Sequence, residues 1–200
     1  EYVVKGQNKP DLDLGASTDL YDELIAKDNF SHFHNFSASG GSEKSTYRAS
    51  LNYLDANGIA KQNGREQFGG RFSFVQKGLQ DYLTFSTNIA ANFNKADLLG
   101  GKTEYFEQAM QRNPTAPLMN SDGTFYETQG YNNFNPMGRL AHRIDDRNQQ
   151  TFSGDARLKL KIIDELSVSA FGSYVRDNFN DRQYRSILDW EQRANSSYQG

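Results

Sequence analysis

His32 and His34 stand two residues apart, a spacing that puts both imidazoles on one face of a strand. Two imidazoles begin a metal site, but a third ligand is needed, and His142 is remote in sequence. A surface or rim position is therefore expected, and no metal. Asp145-Asp146 and Asp164-Glu165 carry the groups that acid and base catalysis uses. Side by side in polar segments, they read as solvated loops and turns. Gly69-Gly70 lies inside an alternating run, where a bulge or a close backbone approach explains it. Gly100-Gly101 reads as a loop turn, so no phosphate-binding loop is found. No serine, histidine and acid arrangement carries a hydrolase signature. The chain has 0 cysteines, which excludes disulfides and thiolate metal sites. No enzyme activity and no cofactor are expected.

Two groups of side chains remain. Tyr105, Phe106, Tyr126, Tyr131 and Phe134 lie in a polar connecting segment. Their rings either stack on sugar rings as ligand contacts or pack within the loop. Arg48, Arg71, Asp155, Arg157, Lys159 and Lys161 fall on the polar side of alternating runs, where a water-filled interior suits them better than a core. The net charge of -3, from 22 basic and 25 acidic residues, gives no footprint for nucleic acid. The aromatics accompany no basic groove, so base stacking is not expected.

The elements that must position these groups are strands. In Tyr47 to Tyr53, Tyr47, Ala49, Leu51 and Tyr53 share one face while Arg48, Ser50 and Asn52 share the other. The spacing predicts six strands: Ser31 to Gly40, Thr46 to Leu54, Gln67 to Gln76, Tyr82 to Phe93, Thr151 to Ile163 and Leu166 to Tyr174. Short helices are expected over Asp19 to Ala26, capped by Thr18 or Asp19, and over Thr103 to Arg112, where Asn113-Pro114 stops it. Hydrophobic residues make up 36% of the chain and aromatics 13%. Few aliphatics beside many aromatics, serines and asparagines fit alternating strands better than a helical core. No run of about 18 apolar residues exists, so no transmembrane helix is predicted.

The connections alternate in length: short at 40–45, long at 55–66, short at 77–81, very long at 94–150, short at 163–165, long after 175. In an up-and-down sheet this sorts short turns to one edge and long loops to the other, as outer-membrane barrels do. The fold class is all-β: antiparallel up-and-down strands of a transmembrane β-barrel, with short helices in the long loops. The organisation is a loop and short helix over 1–30, four barrel strands over 31–93, a long extracellular loop over 94–150 with a helix at 103–112, two further strands over 151–175, and the start of another extracellular loop over 176–200. The opening Glu1-Tyr2-Val3-Val4 has no leader pattern, and the chain reads as an internal piece of something longer.

Several blocks resemble one family. Thr18-Asp19-Leu20-Tyr21-Asp22-Glu23-Leu24, then His34-Asn35-Phe36-Ser37-Ala38-Ser39-Gly40-Gly41, then Tyr47-Arg48-Ala49-Ser50-Leu51-Asn52-Tyr53 with Asn57-Gly58-Ile59, are similar to TonB-dependent outer-membrane transporters of the SusC/RagA type. Arg112-Asn113-Pro114-Thr115-Ala116-Pro117, Asp122-Gly123 and Asn135-Pro136 resemble the family's next segment. The resemblance implies a 22-strand barrel around an N-terminal plug, in the outer membrane of a Gram-negative, Bacteroidetes-like bacterium. It implies import of glycans or oligosaccharides, or of peptides, with a SusD-like surface lipoprotein, the TonB complex and outer-membrane lipid as partners. The chain has too few strands to close such a barrel and contains neither the plug nor a TonB-engaging motif. On this reading the inward charges tune a passage or, as favoured here, pair with plug carboxylates, and the loop aromatics meet sugar or a lid. The rival readings are a soluble β-rich carbohydrate-binding or interaction domain, with both sheet faces covered by protein, and a small closed barrel of about eight strands.

Overall fold

The computed structural model describes residues 13–127, 134–189 and 191–192. Its frame is a six-stranded antiparallel sheet in which sequence neighbours are sheet neighbours. The strands are β1 (His32–Gly41), β2 (Ser45–Asn57), β3 (Gly64–Gly78), β4 (Leu83–Asp97), β5 (Arg143–Ile163) and β6 (Leu166–Arg185). The turns at 42–44, 79–82 and 164–165 lie at one end, called here the turn end. The connections at 58–63 and 98–142, and the residues before His32 and after Arg185, lie at the loop end.

Directly opposed residues of an antiparallel ladder share a face, so the register fixes both faces. Phe36 opposes Leu51, Leu51 opposes Gly70, Gly70 opposes Ala91 and Ala91 opposes Phe152. Tyr47, Phe72, Phe74, Ile89, Leu158, Leu160 and Val168 continue this apolar face. Among the described residues none covers it: Phe36 is 70% exposed and Val168 57%. That exposure argues against a soluble sandwich, which would bury these side chains.

The apolar face ends towards the loop end in an aromatic boundary. Tyr53, Phe68 and Phe93 form one opposed row. In β5 the corresponding residue is Gln150 and the boundary drops to Phe152; in β6 it drops again to Tyr174. The rings of Phe152 and Tyr174 lie 6.3 Å apart. A boundary that slants across the hydrogen-bonded rows is what tilted barrel strands require.

β5 and β6 run well past this boundary, correcting the expected strand limits of 151 and 174. Residues 143–150 and 176–185 are strand, not loop. Apart from Ile144, Phe179 and Tyr184 their side chains are polar on both faces, so they lack the hydrophobic alternation that marks a half-buried strand. Helix α1 is Leu20–Leu24, shorter than expected, because Ile25 forms a bridge with Ala60 that draws the chain into extended backbone. Asp19 caps it, accepting from the Asp22 N–H at 3.0 Å. A 3-10 turn (Leu99–Gly101) and α2 (Thr103–Gln111) follow β4. Helix α3 (Pro136–His142), not expected from the sequence, has proline in its first turn and an Asn135 side chain that accepts from the Met137 N–H.

The three helices pack at the loop end around Leu20, Leu24, Leu99, Tyr105, Ala109 and Leu140. Gly100 docks this cluster on the 58–63 connection, donating its N–H to the Gln62 carbonyl at 2.9 Å. A Cβ at Gly100 would sit 1.9 Å from the Lys61 carbonyl oxygen, so no larger residue fits this approach.

Candidate functional site

The face opposite the apolar one is predominantly polar, with Phe33, Leu54, Val75, Phe171, Val175 and Phe179 scattered along it. Asn35 opposes Asn52, Asn92 opposes Thr151 and Thr151 opposes Asp177. Gly69 sits between the Asn52 and Asn92 side chains, whose amide oxygens fill the space a Cβ would need. Arg48, Arg71, Asp155, Arg157, Lys159 and Lys161 all fall on this face, as their strand parity predicts. Asp155 accepts from the Asn88 amide at 3.0 Å, and the Arg157 guanidinium lies 5.2 Å from the centre of the Phe171 ring. Lys161 pairs with Asp164 at 2.5 Å. Among the described residues Arg48, Arg71 and Lys159 enter no ion pair. The turn-end part of this wall is therefore basic.

Nearer the loop end the same face carries a second group that the sequence reading missed. Arg147 holds Asp181 with two hydrogen bonds of 2.7 Å. The hydrogen bond from Arg147 holds the Asp181 carboxyl below the usual carboxylate range. Gln149 and Thr151 both donate to Asp177, and Arg65 donates to Asn94 and Gln67. The signal was present as charge alternation: Arg147, Gln149 and Thr151 face Asp181 and Asp177 at matching spacing. No apolar face accompanied it.

The loop cluster is tied to the sheet by buried ions. The Arg143 guanidinium, 7% exposed, donates to both carboxylate oxygens of Asp189, 1% exposed, at 2.7 and 3.1 Å, and meets Glu191 at 3.1 Å. Arg139 pairs with Glu191 and Glu104, and Lys102 pairs with Asp145 at 2.5 Å. Burial pushes the Asp189 carboxyl up, but the hydrogen bond and charge of Arg143 outweigh it and hold the group below its ordinary value.

Of the loop aromatics, Tyr105 and Phe134 are buried, with their rings edge to face at 6.2 Å. The Arg139 guanidinium caps Phe134 at 3.2 Å from the ring centre. These two rings build the loop's own core and present no surface to a ligand. Phe106 packs against the cluster beside Tyr21, and the Tyr126 ring lies 5.7 Å from Arg112. Tyr131 lies outside the described residues. His32 and His34 stand on the apolar side at the loop end, with ring centres 5.1 Å apart and Asp55 3.7 Å from His32. His142 stands apart, edge-on to Phe125. Among the described residues no group of three or more His, Cys, Asp or Glu converges on a metal position.

An uncovered apolar face, an aromatic boundary, a polar opposite face and long connections gathered at one end define a wall segment of a transmembrane β-barrel. No family model matches the chain. It is 28% identical over 130 residues to the TonB-dependent receptor SusC of Bacteroides thetaiotaomicron, covering 62% of this chain and 12% of that protein. It is also 28% identical over 153 residues to the TonB-dependent receptor P26 of Formosa agariphila, covering 75% of this chain and 15% of that one. The RagAB peptide importer in its "closed-closed" state shares the fold with a TM-score of 0.65 at 15% identity, over 84% of this chain and 20% of that chain. Its "open-open" state matches at a TM-score of 0.64. The chain thus spans a small part of each relative's length. Sequence and fold together support a segment of a SusC/RagA-type TonB-dependent outer-membrane transporter.

Proposed function

We propose that this chain is part of the wall and outer loops of a transporter that imports oligosaccharides, or peptides, across the outer membrane of a Bacteroidetes-like bacterium. The observation that carries the reading is the two-faced sheet: apolar and exposed on one side, predominantly polar on the other. The polar wall lines the passage, and the substrate crosses unchanged, with no bond made or broken. In the complete protein a plug fills the interior and the TonB complex displaces it. Arg48, Arg71, Arg157, Lys159 and Lys161 then pair with plug carboxylates. The loop-end body, with Phe106 and Tyr126 half-buried in it, faces the substrate and a SusD-like lipoprotein lid.

Growth of a strain carrying the whole transporter tests this reading. Deleting the gene should abolish growth on one class of oligosaccharide or peptide while growth on free monomers persists. Unchanged growth on every polymeric nutrient, with the protein present in wild-type outer membranes, would contradict it. A soluble carbohydrate-binding domain would instead be recovered as a monomer in detergent-free buffer.

A further inference from the structure

We propose a binding site for an outer-leaflet lipid with a phosphorylated sugar headgroup, in a notch of about 220 Å³ on the apolar side of the sheet at its aromatic boundary. The proposal rests on the reading that this side meets lipid. The lining residues place the notch on that side. Tyr53, Phe68 and Phe93 of the boundary row contribute with Gln150, their counterpart in β5, and Glu66, Lys95 and Asn148 lie one outward row nearer the loop end. All seven share the outward parity, because Phe68 opposes Phe93, Phe93 opposes Gln150, Glu66 opposes Lys95 and Lys95 opposes Asn148. Gln67, Asn94 and Gln149 lie between these rows and supply the floor.

The notch divides by chemistry along the membrane normal. Phe68 and Phe93, each about half exposed, offer flat apolar surface on the side where acyl chains would lie. Towards the loop end the lining changes to one cation, one carboxylate and two amides. Glu66 and Lys95 oppose each other directly, yet among the described residues neither forms an ion pair. Lys95 is thus free to meet a phosphate, and Glu66 to accept from hydroxyls. Exposed Asn148 and Gln150 both donate and accept, as sugar hydroxyls require. A headgroup that is only a phosphate would meet Glu66 unfavourably; one that joins a phosphate to hydroxyl-bearing rings satisfies every group. Interfacial aromatics anchor the chain at headgroup depth, which puts Lys95 within reach of the phosphate layer.

The test uses the intact transporter carrying this segment, purified in mild detergent and stripped of lipid. The probe is an acylated glucosamine disaccharide bearing one phosphate, counted on the protein by native mass spectrometry against phosphatidylglycerol as competitor. Lys95→Gln should weaken glycolipid binding about fivefold, the effect of one basic residue at an anionic lipid surface. Lys27→Gln, on an exposed loop lysine, should not. Benzoylphenylalanine placed at Phe93 should crosslink to acyl chains in membranes. Crosslinking together with unchanged glycolipid binding by Lys95→Gln would overturn the site and leave the lipid-facing reading standing. Absence of crosslinking would overturn both. Equal displacement by phosphatidylglycerol would overturn the sugar headgroup.

Discussion

Replacing Asp189 with alanine should release the segment that follows β6 from the sheet. Arg143 and Asp189 are almost fully buried and joined by two hydrogen bonds. Removing one member of such a pair costs about 3–5 kcal/mol, chiefly because the remaining charge stays buried without its partner. Glu191 lies 3.1 Å from Arg143 and takes over part of that role, so a cost of about 2–3 kcal/mol is expected. The amides that report it are those of Ser186, bonded to the His142 carbonyl at 2.7 Å, and Asp189, bonded to Ser186 at 2.9 Å. Hydrogen exchange measures local opening, and these amides should exchange about 30- to 150-fold faster in the variant, with amides of β2 and β3 unchanged. The double variant Arg143→Met with Asp189→Leu should recover most of the protection, since an apolar pair leaves no orphan charge. The same clamp should be acid-sensitive. The folded Asp189 carboxyl titrates below its unfolded value, so its contribution is complete at neutral pH and is lost as pH falls from about 4 through the folded pKa. Exchange within about threefold of wild type in Asp189→Ala, at a site this buried, would refute the reasoning.

Phe72→Arg, in the middle of the apolar face, should cost about 2–4 kcal/mol in folding into lipid vesicles, whereas Glu66→Arg beyond the aromatic boundary should cost about 0–1 kcal/mol; equal costs would deny the depth profile. Gly100→Ala should detach the helical cluster from the 58–63 connection, because its methyl group would meet the Lys61 carbonyl oxygen. Faster proteolysis near residues 58–63 and 98–102 checks this, and an unchanged digestion pattern would count against it. The Tyr105 hydroxyl is pushed up to about 12, first by burial. Its contribution to stability is complete below the unfolded value of about 10 and is lost as pH rises towards the folded one. Ultraviolet titration of wild type against Tyr105→Phe should therefore show almost no tyrosinate from this residue at pH 10, where an ordinary tyrosine is about half ionised.

The sheet was legible in the sequence wherever one face is apolar and the other wet. Tyr47 to Tyr53 and Leu83 to Phe93 carry the period of two in their side chains, and the structure places their faces as that period dictates. The shared face of the charges was legible for the same reason, since parity alone assigns Arg48, Arg71 and Lys159 to the polar side. Beyond the aromatic boundary this logic fails. At Arg147, Gln149, Asp177 and Asp181 both faces are polar, so strand and loop look alike until the partner strand is known. Helix α3 was hidden by its shortness and by Pro136, which reads as a breaker yet occupies a first turn where no N–H is needed. The roles of the loop aromatics were not legible at all. A tyrosine that builds a loop core and one that meets a sugar are the same residue in a sequence, and only the burial of Tyr105 and Phe134 separates them.

The central claim is that one face of this sheet meets lipid and the other meets the water-filled interior of a transporter. A cysteine scan of β4 in the intact protein tests it most directly, with spin labels read for collision with oxygen and with a water-soluble nickel complex. Labels at 83, 85, 87, 89, 91 and 93 should collide with oxygen, and those at 84, 86, 88, 90 and 92 with nickel or with neither. A scan without that alternation, or with nickel reaching the odd positions throughout, would contradict the account.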